Sequence, residues 1–216
     1  MQTQPMTPAL RIGHDRLARA ATIACSYHVA QVRKGTEIPY ASHLLQVAGL
    51  VLEYGGTLEQ AATGMLHDVL EDTDISPSIF AAYCETRLTP RVAELVRECT
   101  DTVLGDSARV KSPWAARKAR HIEHLKTCSL EAAMVIACDK LHNIRTQIAD
   151  LRHNGETVKF NASFADRRDV QATAIAALRD KVSARLFADL CDAHEEWETL
   201  HANTTTTTQV HVQEPT

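Results

Sequence analysis

One stretch, residues 61–74, constrains the fold of this chain more than any other. It reads AATGMLHDVLEDTD, so that an imidazole, His67, and a carboxylate, Asp68, interrupt an otherwise apolar helical segment. Glu71 and Asp72 each follow four residues later, which on a helix places each pair of side chains on one face. Polar groups at this density cost free energy when they are buried without partners. The pattern therefore predicts an interior site that the rest of the chain must complete.

The alternative interpretation of this stretch is an ordinary solvent-exposed turn of helix. Met65, Leu66, Val69 and Leu70 flank the polar residues. A solvated helical face does not usually carry so many large apolar side chains. The neighbours therefore favour a functional site over a surface turn.

The rest of the chain carries the hydrophobic spacing of helices and lacks the strict alternation of strands. Capping residues, prolines and glycines predict a central helix from Thr57. The other predicted helices cover residues 10–33, 40–54, 77–87, 90–99, 113–126, 130–152, 165–181 and 182–202. We expect an all-α fold with a single helical domain. It should cover residues 9–202, after a flexible N-terminus (1–8) and before a disordered tail (203–216).

The charge balance and the hydropathy pattern exclude several classes of protein. The chain has 23 lysines and arginines against 27 acidic residues, so that nothing favours nucleic acid or an anionic membrane as a partner. No apolar run is long enough to cross a bilayer, and the first residues do not form a signal peptide. The six cysteines lack metal-binding spacing and are typical of reduced thiols. We therefore expect a cytoplasmic protein.

A second set of polar residues interrupts two other apolar helices. Asp139 and Asn143 share a face of the predicted helix over residues 130–152, and His43 lies in the helix over 40–54. Alone, Asp139 fits a carboxylate on the helix surface or a satisfied buried one, and His43 fits a hydrogen-bonded core histidine. The four residues that could share one ion are His43, His67, Asp68 and Asp139. Two imidazoles and two carboxylates suit Mn²⁺ or Fe²⁺, and Zn²⁺ is also compatible.

Four motifs of the chain resemble those of a known group of enzymes. They are PYASHLLQVA, MLHDVLEDTD, ECTD and CDKLHNIRT, which begin at residues 39, 65, 98 and 138. A histidine, an HD pair and a distant aspartate resemble the HD superfamily of metal-dependent phosphohydrolases. Over residues 10–151 the chain more narrowly resembles the hydrolase domain of RelA/SpoT-type enzymes and the small alarmone hydrolases.

This resemblance implies a manganese-dependent (p)ppGpp 3′-pyrophosphohydrolase, which leaves GDP or GTP. It implies that the four residues named above bind the metal ion. It further implies that Glu71 and Asp72 form a catalytic acidic pair and that Asn143 lies near the substrate and the metal. No stretch resembles an alarmone synthetase domain, so we expect degradation without synthesis.

The substrate that the resemblance implies carries several negative charges, so we expect a basic lining despite the acidic total. The residues expected to bind substrate are Arg33, Lys34, Lys140 and Arg145. The first two match a basic pair that lies against the nucleotide in the family. Arg117, Lys118 and Arg120 form a further basic cluster, which fits a solvated helical face equally well.

The chain departs from the family after Gly155, where free-standing relatives tend to place an arginine and aromatic side chains over the substrate. Here the segment carries Phe160 and Phe164, with Arg167 and Arg168 in a different register. The motifs therefore predict the residues of the metal centre, but they do not predict equally well which residues recognise the base and the phosphates. Adenine-containing alarmones and NADPH stay open as substrates.

Two further functions fit parts of the pattern. An HD nucleotidase acting on 5′-nucleotides is disfavoured by the EDT after the HD pair and by the DKLHN block. A non-catalytic HD module, serving as a regulator or an antitoxin, could have lost the catalytic residues, yet all of them are present. A small-molecule nucleotide is the expected partner, and a homodimer is left open.

Overall fold

Ten helices form the fold in the computed structural model, which describes residues 6–100, 112–154 and 162–210. They are α1 (Pro8–Tyr27), α2 (Ala41–Glu53), α3 (Leu58–Leu66), α4 (Val69–Asp72), α5 (Pro77–Arg87), α6 (Pro90–Cys99), α7 (Trp114–Thr127), α8 (Leu130–Asn154), α9 (Phe164–Leu178) and α10 (Ala184–Val210). Within these ranges the structure has no β-strand, only an isolated bridge between Val32 and Pro39. The prediction of an all-α fold is confirmed.

Side-chain caps set the starts of several helices, as the sequence predicts. Thr57 accepts a hydrogen bond from the Gln60 amide at 3.2 Å, while the Gln60 side chain accepts from the Thr57 amide at 2.8 Å. Ser76 and Thr89 cap α5 and α6 in the same way, each followed by proline. At α7 the cap position is occupied by Pro113 without a side-chain cap, so the helix begins one residue later than its predicted start at residue 113.

The first predicted helix ends earlier than its hydrophobic spacing indicates, at Tyr27 instead of residue 33. The chain then forms a loop over residues 28–40. The Arg33 amide donates to the Ile38 carbonyl at 2.8 Å, and Gly35 adopts a φ of 76°, which favours glycine. This loop returns the chain to the start of α2 and carries its side chains towards α8.

The last helix, α10, continues to Val210. The tail predicted to be disordered from residue 203 therefore begins within this helix, and residues 211–216 lie outside the described residues. In the part of the chain that the structure describes, no helix has the length and apolar character needed to cross a membrane.

The core lies between α2, α3 and α8, with α1 packed on α3 and α10 packed on α8. Its largest fully buried side chains include Leu44, Leu66, Leu141 and Trp197. All six cysteines are free thiols, which confirms that they form no disulfide framework. Because α2, α3 and α8 also carry the predicted metal ligands, the core packing places those ligands next to one another.

Gly64 allows α3 to approach α2 closely. A Cβ at Gly64 would lie 3.3 Å from the backbone of Ala48, whereas a Cβ at Gly49 would meet nothing within 4 Å. We expect Gly64→Val to lower the free energy of unfolding by about 1–3 kcal/mol, because its methyl groups would force the two helices apart. Gly49→Ala is the matched control and should raise it by about 0.5–1 kcal/mol through helix propensity. Denaturant unfolding measures both, and equal stability of the two variants would contradict the close approach.

Candidate metal centre and adjoining cavity

The four predicted ligands converge from three parts of the fold. His43 lies on α2, His67 and Asp68 lie at the junction of α3 and α4, and Asp139 lies on α8. Asp68 Oδ2 is 3.5 Å from His43 Nε2 and 3.1 Å from His67 Nε2. Asp139 Oδ1 is 3.3 Å and 3.5 Å from the same two nitrogens. The donor atoms of His43, His67 and Asp139 all lie within 4.8 Å of one another, so these three residues could hold one ion, and Asp68 adjoins the two imidazoles.

A break in the helix brings His67 and Asp68 to the same point. The sequence predicts an unbroken helix here, and this is wrong, because α3 ends at Leu66 and α4 begins at Val69. On a regular helix adjacent side chains diverge by about 100°. At this junction Asp68 has a ψ of −5°, and its Oδ2 lies 3.1 Å from His67 Nε2.

The hydrogen bond of the other His67 nitrogen fixes its tautomer. Nδ1 donates to the carbonyl of Gly64 at 2.8 Å, so the lone pair of the neutral ring is on Nε2. Nε2 is buried and makes no hydrogen bond with any described residue, although two carboxylates face it. Two carboxylates around this buried ring nitrogen concentrate negative charge, which either a proton on the ring or a bound cation compensates. The residues present therefore fit a divalent ion.

Electrostatic coupling links the imidazoles and the carboxylates. Burial alone would lower the pKa of His67, but the carboxylates of Asp68 and Asp139 raise this pKa well above its ordinary value. Burial opposes ionisation of the two carboxyls, yet the imidazoles of His67 and His43 hold the pKa of each carboxyl well below its usual range. Both acids are therefore ionised at neutral pH and available as ligands.

His142 supports the second imidazole from the side away from the carboxylates. Its Nδ1 lies 2.8 Å from Nδ1 of His43, within hydrogen-bond distance. Burial, followed by the neighbouring charges of His43 and Arg33, lowers the pKa of His142 to about 4. A neutral His142 leaves His43 Nε2 directed at Asp68 and Asp139. Sequence reasoning did not identify this residue, although it lies within the DKLHN block.

The raised pKa of His67 gives a testable pH dependence. We expect the affinity for Mn²⁺ to fall by up to about tenfold per pH unit below that pKa, because the ion must displace the imidazole proton. Calorimetric titration between about pH 8 and about pH 6 measures it. Replacement of the exposed His153 by glutamine is the control and should leave the slope unchanged. An affinity independent of pH would contradict the assignment of His67 as a ligand.

The metal-free protein should show a pH dependence of stability through the same group. Because the pKa of His67 is raised in the folded state, its contribution to stability is complete below the ordinary value of 6.5. That contribution is lost as the pH rises through the raised value.

The loop over residues 28–40 holds two of the acidic groups by hydrogen bonds. The Tyr40 hydroxyl donates to Asp68 Oδ2 at 2.6 Å, and Gln31 Nε2 donates to Asp72 Oδ2 at 2.9 Å. Tyr40 is in the PYASH motif, three residues before a predicted ligand, which is a signal that could have identified it. Gln31 carries no such signal. Hydrogen bonds of this kind orient metal ligands and tune their affinity.

The same loop reaches the third helix of the centre through Arg33. Arg33 Nη2 donates to Asn143 Oδ1 at 2.8 Å, and Asn143 Nδ2 donates to Asp139 Oδ1 at 2.6 Å. Arg33, predicted to bind substrate, and Asn143, predicted to lie near the metal, are thus in one hydrogen-bonded chain that ends at Asp139. This chain fixes the rotamer of the carboxylate.

A cavity of about 610 Å³ adjoins the centre. Its wall includes Asp72 and Asp139 beside a set of basic side chains. The basic residues of the wall are Arg33, Lys34, Lys118, Lys140 and Arg167. Five cations around one cavity in a chain of net charge −4 form a local environment that suits an anionic ligand.

Arg145 does not line this cavity, and its role as a substrate-binding residue stays a prediction. Its Nη2 lies 4.0 Å from Asp189 Oδ2 on α10, and the side chain is half exposed. On α8 Arg145 lies two positions after Asn143, which turns it about 200° around the helix axis. The motif indicates a basic residue at this position, but its place on α8 directs the Arg145 side chain away from the cavity.

The acidic pair Glu71 and Asp72 is divided between two environments. Asp72 lines the cavity, whereas Glu71 Oε1 accepts a hydrogen bond from Arg117 Nη1 of α7 at 3.3 Å. Arg117 is therefore not on a solvated helical face, because its side chain is only 12% exposed and contacts Glu71. The catalytic role of the pair stays a prediction.

Arg167 is the member of the α9 arginine pair that enters the cavity wall. It is buried, and its Nη1 donates to Gln147 Oε1 at 3.1 Å. Its guanidinium lies 5.5 Å from the ring centre of Trp197 and 5.8 Å from that of Phe164. Arg168 is exposed and paired with the adjacent Asp169. Phe160, predicted with these residues, lies outside the described residues.

Comparison with known sequences gives the same assignment of the fold. A profile of the HD domain family matches residues 20–171. A probable guanosine-3′,5′-bis(diphosphate) 3′-pyrophosphohydrolase of Synechocystis is 34% identical over 140 residues, which are 62% of this chain and 17% of that protein. The guanosine-3′,5′-bis(diphosphate) 3′-pyrophosphohydrolase MESH1 of Danio rerio is 32% identical over 137 residues, covering 60% of this chain and 67% of its own length. The chain thus spans about a sixth of the Synechocystis relative and two thirds of the smaller one.

Solved structures extend the similarity beyond the motifs. A metazoan ortholog of SpoT, which hydrolyses ppGpp and plays a role in starvation responses, superimposes with a TM-score of 0.67 and 25% identity. The match covers 90% of this chain and 98% of that one. A Listeria monocytogenes protein matches with a TM-score of 0.59 over 71% of this chain at 24% identity, which bears on the fold alone.

Proposed function

The chain belongs to the HD domain family, and from this premise we propose that it hydrolyses guanosine 3′,5′-bis(diphosphate) and its pentaphosphate analogue to GDP or GTP and pyrophosphate. The convergence of His43, His67 and Asp139, whose donor atoms lie within 4.8 Å of one another, carries the proposal. The pyrophosphohydrolase relatives and the structural match to a SpoT ortholog support the choice of substrate.

The family implies a divalent metal ion, and we propose Mn²⁺ as that ion. Two imidazoles and two carboxylates suit Mn²⁺ or Fe²⁺, and Zn²⁺ is a third alternative. The ligands would be His43, His67, Asp68 and Asp139. Such an ion, when bound, supplies Lewis-acid activation of water and neutralises charge on the phosphoryl group.

The acidic pair would handle the proton of the reaction. Water attacks the phosphorus atom bonded to the ribose 3′-oxygen, the bond between these two atoms breaks, and pyrophosphate is released. Asp72 lines the cavity and is held by Gln31, so it is placed to accept the proton from water and to pass it to the ribose 3′-oxygen. Glu71, held by Arg117, would assist from the adjacent position.

The basic wall would bind the phosphates of the substrate. Lys34, Lys118, Lys140 and Arg167 line the cavity, and Arg33 does so while donating to Asn143. Asn143 would orient the reacting group from its position beside Asp139. Fixed cations around the transferred group stabilise the charge that develops in the transition state. We further propose a cytoplasmic location, which the free state of all six cysteines supports.

A substrate panel with Mn²⁺ tests the proposal. We expect release of pyrophosphate from ppGpp and pppGpp, and no turnover of dAMP. Inclusion of ppApp and NADPH tests the alternative phosphohydrolase activities. Turnover of dAMP or NADPH without pyrophosphate release from ppGpp would contradict the proposal. Absence of all turnover in a metal-loaded, folded protein would favour a non-catalytic module.

A further inference from the structure

One acidic residue of the cavity wall has no role in binding phosphates or metal. Asp150 lies on α8 and lines the cavity, and it makes no hydrogen bond or ion pair with any described residue. A carboxylate repels phosphate groups, and the other two acidic residues of the wall, Asp72 and Asp139, lie towards the metal centre. Asp150 therefore suits a part of the ligand that is uncharged and donates hydrogen bonds.

A second unused acceptor lines the same cavity from the opposite helix. Gln171 of α9 has a buried Oε1 without a hydrogen-bond partner among the described residues. The neighbouring Gln147 is already committed, because its Nε2 donates to the Asn143 carbonyl and its Oε1 accepts from Arg167. Buried acceptors without donors are rare in folded proteins. The unpaired Oε1 of Gln171 therefore indicates that a ligand supplies its donor.

The order of residues along α8 separates this end of the cavity from the metal centre. Asp150 follows Asp139 by eleven residues, which is about 16 Å along the helix axis. Asn143 and Gln147 lie between them on the cavity side. A nucleotide whose 3′-diphosphate lies at the metal centre would therefore direct another part of the molecule towards Asp150.

We propose that Asp150 and Gln171 accept hydrogen bonds from the nucleotide base and select guanine over adenine. This inference rests on the proposed function for the identity of the ligand as a nucleotide. Guanine carries two adjacent donors on one edge, the N1–H and the 2-amino group. At that edge adenine has an unprotonated N1, which a carboxylate repels, and no 2-amino group. A site built around such hydrogen bonds rejects an analogue that lacks them.

Equilibrium binding of nucleoside 3′,5′-bisphosphates tests the inference separately from hydrolysis, because these probes have no diphosphate to release. The wild-type protein should bind the guanosine probe more tightly than the adenosine probe. Asp150→Leu should weaken binding of the guanosine probe by at least about tenfold. Binding of the adenosine probe should not weaken and should tighten, because the repulsion of its N1 is removed. Asp150→Asn keeps the shape of the side chain, and it should weaken binding of the guanosine probe less than Asp150→Leu does. Asp192→Asn, at an exposed acid of α10, is the matched control and should behave as wild type.

Two results would overturn the base assignment. Equal affinity of the wild-type protein for both probes would show that it does not select guanine over adenine. If Asp150→Leu weakens binding of both probes equally and leaves the melting temperature unchanged, the carboxylate contacts the ribose and not the base. If ppGpp is not hydrolysed but the guanine preference depends on Asp150, the hydrolase proposal fails and the base assignment stands. If ppGpp is hydrolysed and the preference does not depend on Asp150, only the base assignment fails.

Discussion

Replacement of Asp68 by alanine is expected to abolish turnover while leaving the helical fold intact. The substitution removes an oxygen that lies 3.1 Å and 3.5 Å from the two imidazole nitrogens of the centre. We expect kcat to fall by at least about 10³-fold, which exceeds the roughly 10–100-fold loss typical of residues that only support a ligand. The measurements are pyrophosphate release, bound metal per protein chain and the far-ultraviolet circular dichroism spectrum.

The matched control for this variant is Asp74→Ala. Asp74 belongs to the same stretch of sequence, but its side chain is exposed to solvent. It should retain both metal and activity. Retention of full activity and metal by Asp68→Ala would refute the assignment of this carboxylate as a ligand.

Replacement of Trp197 by alanine is expected to cause the largest loss of stability, about 3–5 kcal/mol in the free energy of unfolding. The indole is 1% exposed, and its ring centre lies 4.7 Å from that of Phe164. Since small domains are stable by only about 5–15 kcal/mol, such a loss would leave a measurable unfolded fraction near physiological temperature. Denaturant unfolding and calorimetry give the value.

The second tryptophan of the chain provides the comparison. Trp114 begins α7, is half-buried and lines the cavity. We expect Trp114→Ala to change the free energy of unfolding by less than about 1 kcal/mol and to act on KM instead. A similar loss of stability in both variants would show that burial does not distinguish the two side chains.

The sequence predicted those features of the fold that depend on neighbouring residues. The starts of α5, α6 and α8 agree with the prediction, because a capping hydroxyl before each first turn decides them locally. The approach of His43, His67 and Asp139 was also predicted from polar residues placed in apolar helices. Burial without a partner is unfavourable wherever the chain folds, so this inference needed no knowledge of the tertiary arrangement.

Features decided by distant parts of the chain were not predicted. Periodicity alone extends the first helix to residue 33, yet the chain leaves it at Tyr27 and returns through a hydrogen-bonded loop to α2. The break at His67 and Asp68 has no proline or glycine to mark it. Arg145 was assigned by residue type, whereas its direction depends on how α8 is rotated against α10. In each case tertiary packing overrides the local pattern.

The origin of the ligands from three separate parts of the chain has a thermodynamic consequence. His43 and Asp139 are 96 residues apart in sequence, so the unfolded chain holds no preassembled binding site. Occupancy by an ion would therefore be coupled to the folding equilibrium by mass action, adding about 2.7 kcal/mol when the free ion is at 100 times its Kd. A chelator would lower the melting temperature of the unaltered protein, and the ion concentration would set its resistance to proteolysis along with its rate of turnover.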